Sequence, residues 1–500
     1  MAGMNFHDAG RFEAVFFDVG NTLVEQANPG TPVSELKTVV LPGVLEAIEK
    51  LRTVTRLGIV SNTTVMTEQD LRSLLSTEGL SSFFELVVAT ADLGVHKPSP
   101  FPLLHAASAM GVDASRCLYV GDIESDAIAA HAAGMEFCYT GPDLEWALLR
   151  YFAEPNNALA RAVGHSSEPE VEFGLSLQEH VNQLVKPLGS LGSLEVLASH
   201  LASTQRRRFP RADPAAVAIF CGDHGIAVDD TVTPWPQEIS WQMSAVIASG
   251  RAASSTFATS TNTYLEIVDV GLVGPKGVDG VRPERIRSGT DDLRSGMVMS
   301  YEDAQRAFQV GAETAERLVA GGSRLLCVGE VGMGNTTIAA CLIAYYTRSA
   351  AHLVTGRGAG IDDATLDRKK RIVEEAVSKV PSGLNVFEVV SRIGGLEIAA
   401  MAGFIVAASS LRVPVILDGV ITLSAACLAR ELAPWSIKSC IASHCSSEPA
   451  AEVALQYLQL EAMFNFGLRL GEGTGALLAV PILRAVCDAV TSMASLSDLA

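Results

Sequence analysis

Two successive series of short apolar runs constrain the fold of this chain more than any other feature. The first series lies within residues 13–140 and the second within 216–443, and stretches with helical spacing separate the runs. Runs that are apolar along their whole length are typical of strands that helices cover on both faces. The sequence therefore predicts an α/β fold with two doubly wound parallel-sheet domains. The runs are EAVFFDV, RLGIVSN, FELVVAT, RCLYVGD and EFCYT, then AVAIFCGD, YLEIVDVGL, SRLLCVGE, VPVILDG and SIKSCIAS.

A change in composition marks the boundary between the two series. The chain has 500 residues, which is enough for two or three separate cores. The segment AEPNNALARAVGHSSEPEVEFG at 153–174 is richer in Pro, Asn, Ser and Glu than its surroundings. Such segments usually join domains. We therefore predict a first domain at 1–152, a linker at 153–174 and a second domain at 175–500.

Charge and composition limit the possible partners. With 37 basic and 56 acidic residues the formal net charge is -19, and no basic tract is present, which argues against a nucleic-acid partner. None of the nine cysteines forms a CxxC pair, as expected in a reducing compartment. The N-terminus lacks the pattern of a signal peptide, and the longest apolar stretch, 396–411, is shorter than a membrane span. We expect a cytoplasmic protein without a membrane partner.

Polar side chains follow the predicted strands in both series. Open α/β sheets bind their ligands beyond the carboxyl ends of the strands, so this placement predicts two separate active sites. The residues concerned are Asp18, Ser61 and Asp122 in the first series, and Asp223, Glu330 and Asp418 in the second.

The polar residues of the first series resemble the motifs of the haloacid dehalogenase superfamily. Asp18 follows a strand in FFDVGNTLV, Ser61 lies in IVSN, Lys97 in VHKPSP, and Asp122 and Asp126 in VGDIESDA. The resemblance covers about residues 13–140. It implies that Asp18 is a nucleophile, that Ser61 and Lys97 bind phosphate, and that Asp18, Asp122 and Asp126 hold Mg²⁺. A carboxylate that attacks a phosphate dianion needs such neutralising charges.

One position departs from the pattern of that superfamily. Its phosphatases usually have a second aspartate two positions after the nucleophile, and this chain has Gly20 there. Loss of a general acid typically costs ~10²–10⁴ in rate. Two hypotheses remain for the first domain: a Mg²⁺-dependent phosphatase, and a binding module without catalytic activity.

Glycine-rich turns in the second series predict an anion site. GEVGMGNTT at 329–337 runs from a strand into a helix, but Asn335 occupies the position of the lysine in a nucleotide-triphosphatase phosphate loop. That departure argues against an ATPase. Backbone amides from Gly332 to Thr336 at a helix N-terminus still suit a monophosphate. A second candidate combines Lys369 with Gly356, Gly358 and Gly360.

Taken together, the motifs of the second series resemble the nicotinate-nucleotide:dimethylbenzimidazole phosphoribosyltransferase family over about residues 175–495. The resemblance implies a parallel-sheet core, a smaller helical subdomain built from both ends of this region, and a homodimer. It also implies transfer of ribose phosphate from nicotinate mononucleotide to a benzimidazole-type base, without a cofactor. The motifs include KPLGSLGSLEVLA at 186–198, CGDHGIAV at 221–228, TPWPQEISWQM at 233–243 and GLRLGEGTGA at 467–476.

The resemblance also implies roles for individual residues. Glu472, the carboxylate within GEGTG, is the general base, and burial among apolar neighbours is expected to raise its pKa. Glu330 shares the base role, steadies a cationic transition state or only caps its loop. Binding of the donor phosphate is expected from Gly332, Gly334, Asn335, Thr336, Gly358 and Lys369, and the acceptor pocket from Ser240, Gln242 and Met243.

Two further expectations concern the second domain. His224 and His444 have no metal-like neighbours in the sequence and are expected to be structural. A rival hypothesis keeps the fold but makes the second domain a nucleotide hydrolase, in which water replaces the base.

Overall fold

A computed structural model describes residues 6, 11–25, 39–140, 144–152, 157–165, 168–228 and 232–499 of the chain. The chain divides into two compact units, Met1–Gly164 and His165–Ala500. The division falls within the segment 153–174 in which we predicted the linker. That segment contains a helix, Ala158–His165, because ALARAV is rich in good helix formers.

The first unit contains a parallel sheet covered by helices, as the alternating pattern predicts. The strand order is β3-β2-β1-β4-β5, so β1 lies in the middle and its residues Ala14–Phe17 are all buried. The strands are β1 (Ala14–Phe17), β2 (Arg56–Ser61), β3 (Leu86–Ala89), β4 (Cys117–Gly121) and β5 (Glu136–Tyr139). The helices are α1 (Val44–Leu51), α2 (Glu68–Thr77), α3 (Thr90–Leu93), α4 (Phe101–Met110), α5 (Glu124–Ala133), α6 (Leu144–Phe152) and α7 (Ala158–His165).

The second unit contains a larger parallel sheet. Its order is β12-β11-β10-β9-β6-β7-β8, with β9 and β6 buried at the centre. The strands are β6 (Ala215–Gly222), β7 (Thr263–Gly271), β8 (Arg282–Pro283), β9 (Leu325–Val331), β10 (Val415–Leu417), β11 (Cys440–His444) and β12 (Ala462–Phe464). The helices are α8 (Val171–Val181), α9 (Ser193–Gln205), α10 (Glu238–Ala248), α11 (Ala253–Ser260), α12 (Tyr301–Ala320), α13 (Asn335–Thr347), α14 (Ala351–Val354), α15 (Asp363–Ser378), α16 (Val386–Ile393), α17 (Leu396–Ser410), α18 (Val420–Leu432), α19 (Ala450–Leu458) and α20 (Thr474–Ser492).

The predicted fold class is confirmed, with two additions at the edges of the second sheet. The sequence indicated no strand at Arg282–Pro283 or Ala462–Phe464, which form β8 and β12. Both are only two or three residues long and are not buried. Edge strands of this length have too few residues for a periodic pattern, so only pairing with a neighbour defines them.

Helices α12 and α17 cross one another with their backbones in near contact. A Cβ atom on Gly311 of α12 would lie 1.7 Å from the carbonyl oxygen of Ala400, and one on Gly403 of α17 would lie 1.9 Å from that of Phe308. α17 is buried along nearly its whole length, which explains its apolar sequence LEIAAMAGFIVAASS. The apolar stretch at 396–411 is thus a core helix.

The predicted helical subdomain of the second unit is confirmed. Helices α8 and α9, from the start of the unit, share a small core with the C-terminal half of α20, and Leu177, Ala198 and Val486 belong to it. Of the helices in the described residues, α20 alone is long and apolar enough to cross a membrane. Within its most apolar window 56% of the helix is buried inside the protein, where it packs on β9, β10 and β11.

Candidate active sites

The side chains predicted to follow the strands lie at the carboxyl edges of their sheets. Asp18 and Asp122 come directly after β1 and β4, which are neighbours in the first sheet. Asp223 and Asp418 come directly after β6 and β10. Glu330 is the second-last residue of β9, which lies between these two strands. Each sheet thus brings together polar residues that are far apart in sequence.

Glu472 lies in a tight loop that leads into α20. Its backbone φ is 59°, and those of Gly471 and Gly473 are 83° and 74°, so three successive residues are in the left-handed region. Glycine adopts this region without strain, whereas a glutamate there costs ~1–2 kcal/mol. The side chain of Glu472 is only 8% exposed. The loop therefore holds a buried carboxylate at a strained position, an arrangement that is common at functional sites.

Asp418 holds this loop through hydrogen bonds to its backbone. Its carboxylate accepts hydrogen bonds from the backbone N–H groups of Gly473 at 3.1 Å, Gly475 at 2.7 Å and Ala476 at 3.2 Å. These groups form the N-terminus of α20, where a negative charge is favourable. Burial nevertheless raises the pKa of Asp418 to about 7, even though the three hydrogen bonds act to lower it. The sequence marked Asp418 as a strand-end residue but carried no sign of this support.

The Glu330 carboxylate lies close to Gly471, the residue before Glu472. A Cβ atom on Gly471 would be 2.5 Å from Oε1 of Glu330, so a side chain at position 471 would clash with Glu330. Burial raises the pKa of Glu330 well above its ordinary value, and the charges of Glu397, Asp418 and Glu472 raise it further. We call Glu330, Asp418 and Glu472 the carboxylate cluster. An ionised carboxylate in this cluster disfavours ionisation of its neighbours.

The pKa of Glu472 is raised, as expected from its sequence context. Burial is the main cause, and a hydrogen bond from the hydroxyl of Ser254 to Oε2 at 3.1 Å opposes the rise. A carboxylate with a raised pKa holds a proton more strongly near neutral pH, which suits a general base. All three members of the carboxylate cluster are buried, with exposed fractions of 8% for Glu472, 6% for Glu330 and 2% for Asp418.

Lys369 and the glycines at 356–358 form what we call the lysine site. Nζ of Lys369 donates to Oγ1 of Thr336 at 2.8 Å and to the carbonyl oxygen of Gly356 at 3.2 Å. The N–H of Gly358 donates to Oε1 of Glu448 at 2.8 Å. Burial lowers the pKa of Lys369 to about 8, against the charge of Glu448, which raises it. The structure thus brings together Thr336, Gly358 and Lys369.

Two predicted donors of the 332–336 turn are directed elsewhere. The N–H of Met333 donates to Oδ1 of Asp223 at 3.2 Å. The side-chain amide of Asn335 donates to the carboxylate of Glu330. Gly332 approaches β6 so closely that a Cβ there would lie 2.0 Å from the carbonyl oxygen of Gly222. The sequence predicted the turn but not the direction of its N–H groups.

The residues predicted to line the acceptor pocket are not equivalent. Ser240 is fully buried and donates to Oδ1 of Asp223 at 2.5 Å. Gln242 on the same helix, α10, is exposed, and Met243 packs against the hydrophobic core. Ser240 therefore supports the Asp223 carboxylate, whose pKa burial raises to about 6.

His224 and His444, the two histidines considered in the sequence analysis, have protein partners. Nε2 of His224 lies 2.9 Å from Oε1 of Glu397, and both side chains are fully buried. The ring of His444 stacks on that of Phe464 with centroids 6.1 Å apart, and burial lowers its pKa. These contacts agree with the structural roles expected for both residues.

The first unit contains a cluster of three aspartates, Asp18, Asp122 and Asp126, which we call the aspartate cluster. One carboxylate oxygen from each lies within 4.8 Å of the others. Nζ of Lys97 lies 2.8 Å from Oδ1 of Asp18 and 2.6 Å from Oδ1 of Asp126. Burial raises the pKa of Asp18, although Lys97 acts to lower it. A single lysine leaves this site with excess negative charge, which fits a hard cation such as Mg²⁺.

The other predicted residues of the first unit lie at the same edge. Ser61 is buried at the end of β2, and Gly20 lies in the turn after β1. The side chain of Asn62 holds the backbone of Lys97 through hydrogen bonds of 2.8 Å and 3.1 Å. The hydroxyl of Tyr119, which the sequence did not single out, accepts from Nζ of Lys97 at 2.6 Å. Tyr119 lies within an apolar run, so no sequence signal distinguished it from the core.

Comparisons with known proteins identify both units. The Phosphoribosyltransferase family model matches residues 167–499, and the Haloacid dehalogenase-like hydrolase model matches residues 21–140. A nicotinate-nucleotide–dimethylbenzimidazole phosphoribosyltransferase from Salinispora tropica is 41% identical over 339 residues, covering 64% of this chain and 92% of that protein. A protein of the same name from Halalkalibacterium halodurans is 34% identical over 334 residues, covering 67% and 93%.

A solved structure agrees with this result. The crystal structure of CobT from Thermus thermophilus has a TM-score of 0.64 at 36% sequence identity, covering 66% of this chain and 98% of that chain. The fold and the family match define the second unit as a phosphoribosyltransferase. The chain belongs to the nicotinate-nucleotide–dimethylbenzimidazole phosphoribosyltransferase family and carries an N-terminal haloacid dehalogenase-like domain. Both resemblances inferred from the sequence are confirmed.

Proposed function

We propose that the second unit transfers ribose 5-phosphate from nicotinate mononucleotide to a benzimidazole-type base, giving α-ribazole 5′-phosphate and nicotinate. The names of the relatives support this reaction. The observation that carries it in this chain is the placement of Glu472, a buried carboxylate with a raised pKa, in a glycine loop beside Glu330. In this proposal residues 175–500 carry the transfer and residues 1–152 a separate activity.

The chemistry of the transfer requires a base more than it requires a strong acid. A neutral ring nitrogen of the acceptor attacks the anomeric carbon, and the C–N bond to nicotinate breaks. The positively charged pyridinium of the donor leaves as a neutral ring, so no cofactor is needed to activate it. The acceptor azole is left with an extra proton, which passes to Glu472. Direct attack inverts the anomeric carbon and converts a β-linked donor into an α-linked product.

Glu330 takes a different role from Glu472 in this proposal. Because burial raises the pKa of Glu330 well above its ordinary value, its protonated form is favoured relative to an ordinary glutamate. A protonated Glu330 donates a hydrogen bond instead of accepting the proton. This arrangement leaves Glu472 as the base.

The donor phosphate binds, in this proposal, at the lysine site. Lys369 supplies a positive charge, Thr336 a hydroxyl and Gly358 close backbone approach. Gly332, Gly334 and Asn335 shape the adjacent turn at the start of α13. Ser240, Gln242 and Met243 stay a prediction for the acceptor side.

The test is an assay of the purified full-length protein with nicotinate mononucleotide and a panel of benzimidazole, purine and phenolic bases. We expect an α-linked ribotide product, and Glu472→Gln is expected to lower kcat by ~10²–10⁴ with the fold intact. Glu461→Gln, an exposed change in the same region, is the matched control. Full activity of Glu472→Gln would place the base elsewhere. Release of ribose phosphate in the absence of any base would favour the rival nucleotide hydrolase.

We propose in addition that the first unit is a Mg²⁺-dependent phosphatase that acts on the product of the transfer. The aspartate cluster supports this function: Asp18 is the nucleophile, and Asp18, Asp122 and Asp126 would hold Mg²⁺, which neutralises the phosphate charge. Ser61 and Lys97 bind the phosphoryl oxygens. Gly20 favours the rival in which this unit only binds. The test measures phosphate release from α-ribazole 5′-phosphate by the full chain. Release that Asp18→Asn abolishes, with the transfer reaction unchanged, supports the phosphatase. No release by the wild type supports the rival binding module.

The setting proposed for the protein follows from its charge and its family. We propose a cytoplasmic homodimer with small-molecule substrates and with neither a nucleic-acid nor a membrane partner. A net charge of -19 repels nucleic acids and anionic lipid surfaces. Light scattering of the purified full-length protein measures the oligomeric state, and a monomer at micromolar concentration would contradict the dimer.

A further inference from the structure

Ser254 contacts the carboxylate of Glu472 from another helix. It lies in the first turn of α11 and is fully buried. Its hydroxyl donates to Oε2 of Glu472 at 3.1 Å, although the two residues are 218 positions apart in sequence. Its backbone N–H also interacts favourably with the charged carboxylate. The N-terminus of α11 thus faces the side chain to which the proposed function assigns the base role.

The next residue, Ser255, shows what an ordinary hydroxyl does at this helix start. Its Oγ accepts from the N–H of Ala252 at 3.0 Å and donates to the carbonyl oxygen of Ala252 at 3.1 Å. Ser255 therefore closes the first turn of α11 on itself. The hydroxyl of Ser254 instead leaves its own helix, so helix capping does not account for it.

The contact leaves one oxygen of Glu472 available. Among the described residues, the only side chain that donates to the Glu472 carboxylate is Ser254, and its hydroxyl bonds Oε2 rather than Oε1. The left-handed backbone at Glu472 and the hydrogen bonds of Asp418 to Gly473 and Gly475 fix the loop itself. The carboxylate therefore has one restrained oxygen and one that can take a proton.

We propose that Ser254 is a positioning residue of the transfer reaction, which holds Oε2 of Glu472 and thereby presents Oε1 to the proton of the acceptor base. This inference rests on the proposed function of Glu472 as the general base. A hydroxyl that donates to a carboxylate stabilises its charged form. Ser254 therefore also opposes the rise that burial causes in the pKa of Glu472.

The test compares the pH dependence of kcat/KM for the full-length protein and its Ser254→Ala variant, with nicotinate mononucleotide and dimethylbenzimidazole. The acidic limb of this profile reports the base in the free enzyme. Loss of the hydroxyl is expected to move that limb upward by about half to one pH unit, so activity falls several-fold on the acidic side and recovers at high pH. Ser255→Ala, the matched control, is expected to lower Tm without moving the limb.

The outcomes separate this proposal from the function on which it rests. A Ser254→Ala limb at the wild-type position would overturn the positioning role, even if activity fell uniformly. If Ser254→Ala fails to fold, Ser254→Cys keeps the volume with a weaker donor and is expected to shift the limb in the same direction; an unshifted limb there overturns the proposal too. A wild-type protein that makes no ribotide from any base would refute the proposed function itself.

Discussion

Nζ of Lys369 donates a hydrogen bond to Oγ1 of Thr336 at 2.8 Å, and the lysine side chain has no exposed surface. A buried ammonium group is costly unless a negative group shares its site. The carboxylate of Glu448 raises the pKa of Lys369 and accepts a hydrogen bond from the N–H of Gly358. The proposed function assigns this positive charge, at the start of α13, to the donor phosphate.

Replacing Lys369 is expected to weaken binding of nicotinate mononucleotide. Lys369→Met keeps most of the side-chain volume but removes the charge, so we expect KM for the donor to rise ~10–100-fold, which is ~1.4–2.8 kcal/mol. Steady-state kinetics measure this change. Lys370→Met, at the next and partly exposed residue, is the control and is expected to leave KM unchanged. An unchanged KM in Lys369→Met would remove the lysine site from donor binding.

The same lysine predicts a pH dependence. Its pKa is lowered to about 8, so above about pH 8 it loses its charge and KM for the donor is expected to rise in the wild type. Between about pH 8 and ~10.4 the unfolded chain binds more protons than the folded one at this group, so its contribution to stability increases with pH. Lys369→Met is expected to lack the alkaline rise in KM. An identical rise in both proteins would assign it to another group.

Gly471→Ala is expected to damage the carboxylate cluster. The φ of Gly471 is 83°, so any L-residue there costs ~1–2 kcal/mol, and the new methyl group would lie 2.5 Å from Oε1 of Glu330. We expect kcat/KM to fall ~10-fold or more, because a displaced Glu330 or Glu472 misplaces the base. Gly467→Ala is the control. The φ of Gly467 is 67°, and an added Cβ would lie 4.0 Å from its nearest neighbour, so this variant has the backbone strain without the clash. Equal activities of the two variants would contradict this prediction.

Mg²⁺ is expected to stabilise the first unit through the aspartate cluster. A cation at about 100 times its Kd adds ~2.7 kcal/mol, which is several degrees in Tm for a unit of this size. Differential scanning calorimetry of the full-length protein with and without Mg²⁺ measures the shift. Asp126→Asn is expected to abolish it, whereas Glu124→Gln, exposed on the same helix, is expected to retain it. No shift in the wild type would support the non-catalytic binding module.

Gly311→Ala is expected to be among the most destabilising small changes in the second unit. The new methyl group would lie 1.7 Å from the carbonyl oxygen of Ala400, so α12 and α17 must move apart. Such overpacking costs ~3 kcal/mol or more. Urea denaturation measures the free energy of unfolding. Gly321→Ala, at the end of α12 with its nearest atom at 3.3 Å, is the control and is expected to change stability by less than ~1 kcal/mol.

Much of the fold was predictable because its signals are local. The apolar run AVAIFCG predicts a buried strand, and all of its residues are buried in β6. Asp223 follows this strand at the edge of the sheet. The sequence marked the GEGTG motif around Glu472, and the structure shows that Gly471 and Gly473 take positive φ there. β8 and β12 escaped prediction because strands of two or three residues carry no period.

The sequence by itself determined which residues end strands, where glycines allow tight turns, and which acids and lysines belong to each motif. Only the tertiary structure decided which of them meet. Ser254 and Glu472 are 218 residues apart, Asp418 and Gly473 are 55 apart, and the N–H of Met333 points to Asp223 instead of to open space. The physical reason is that strand and turn preferences act over a few residues. The partners of a buried polar group depend instead on how whole helices and sheets pack around it.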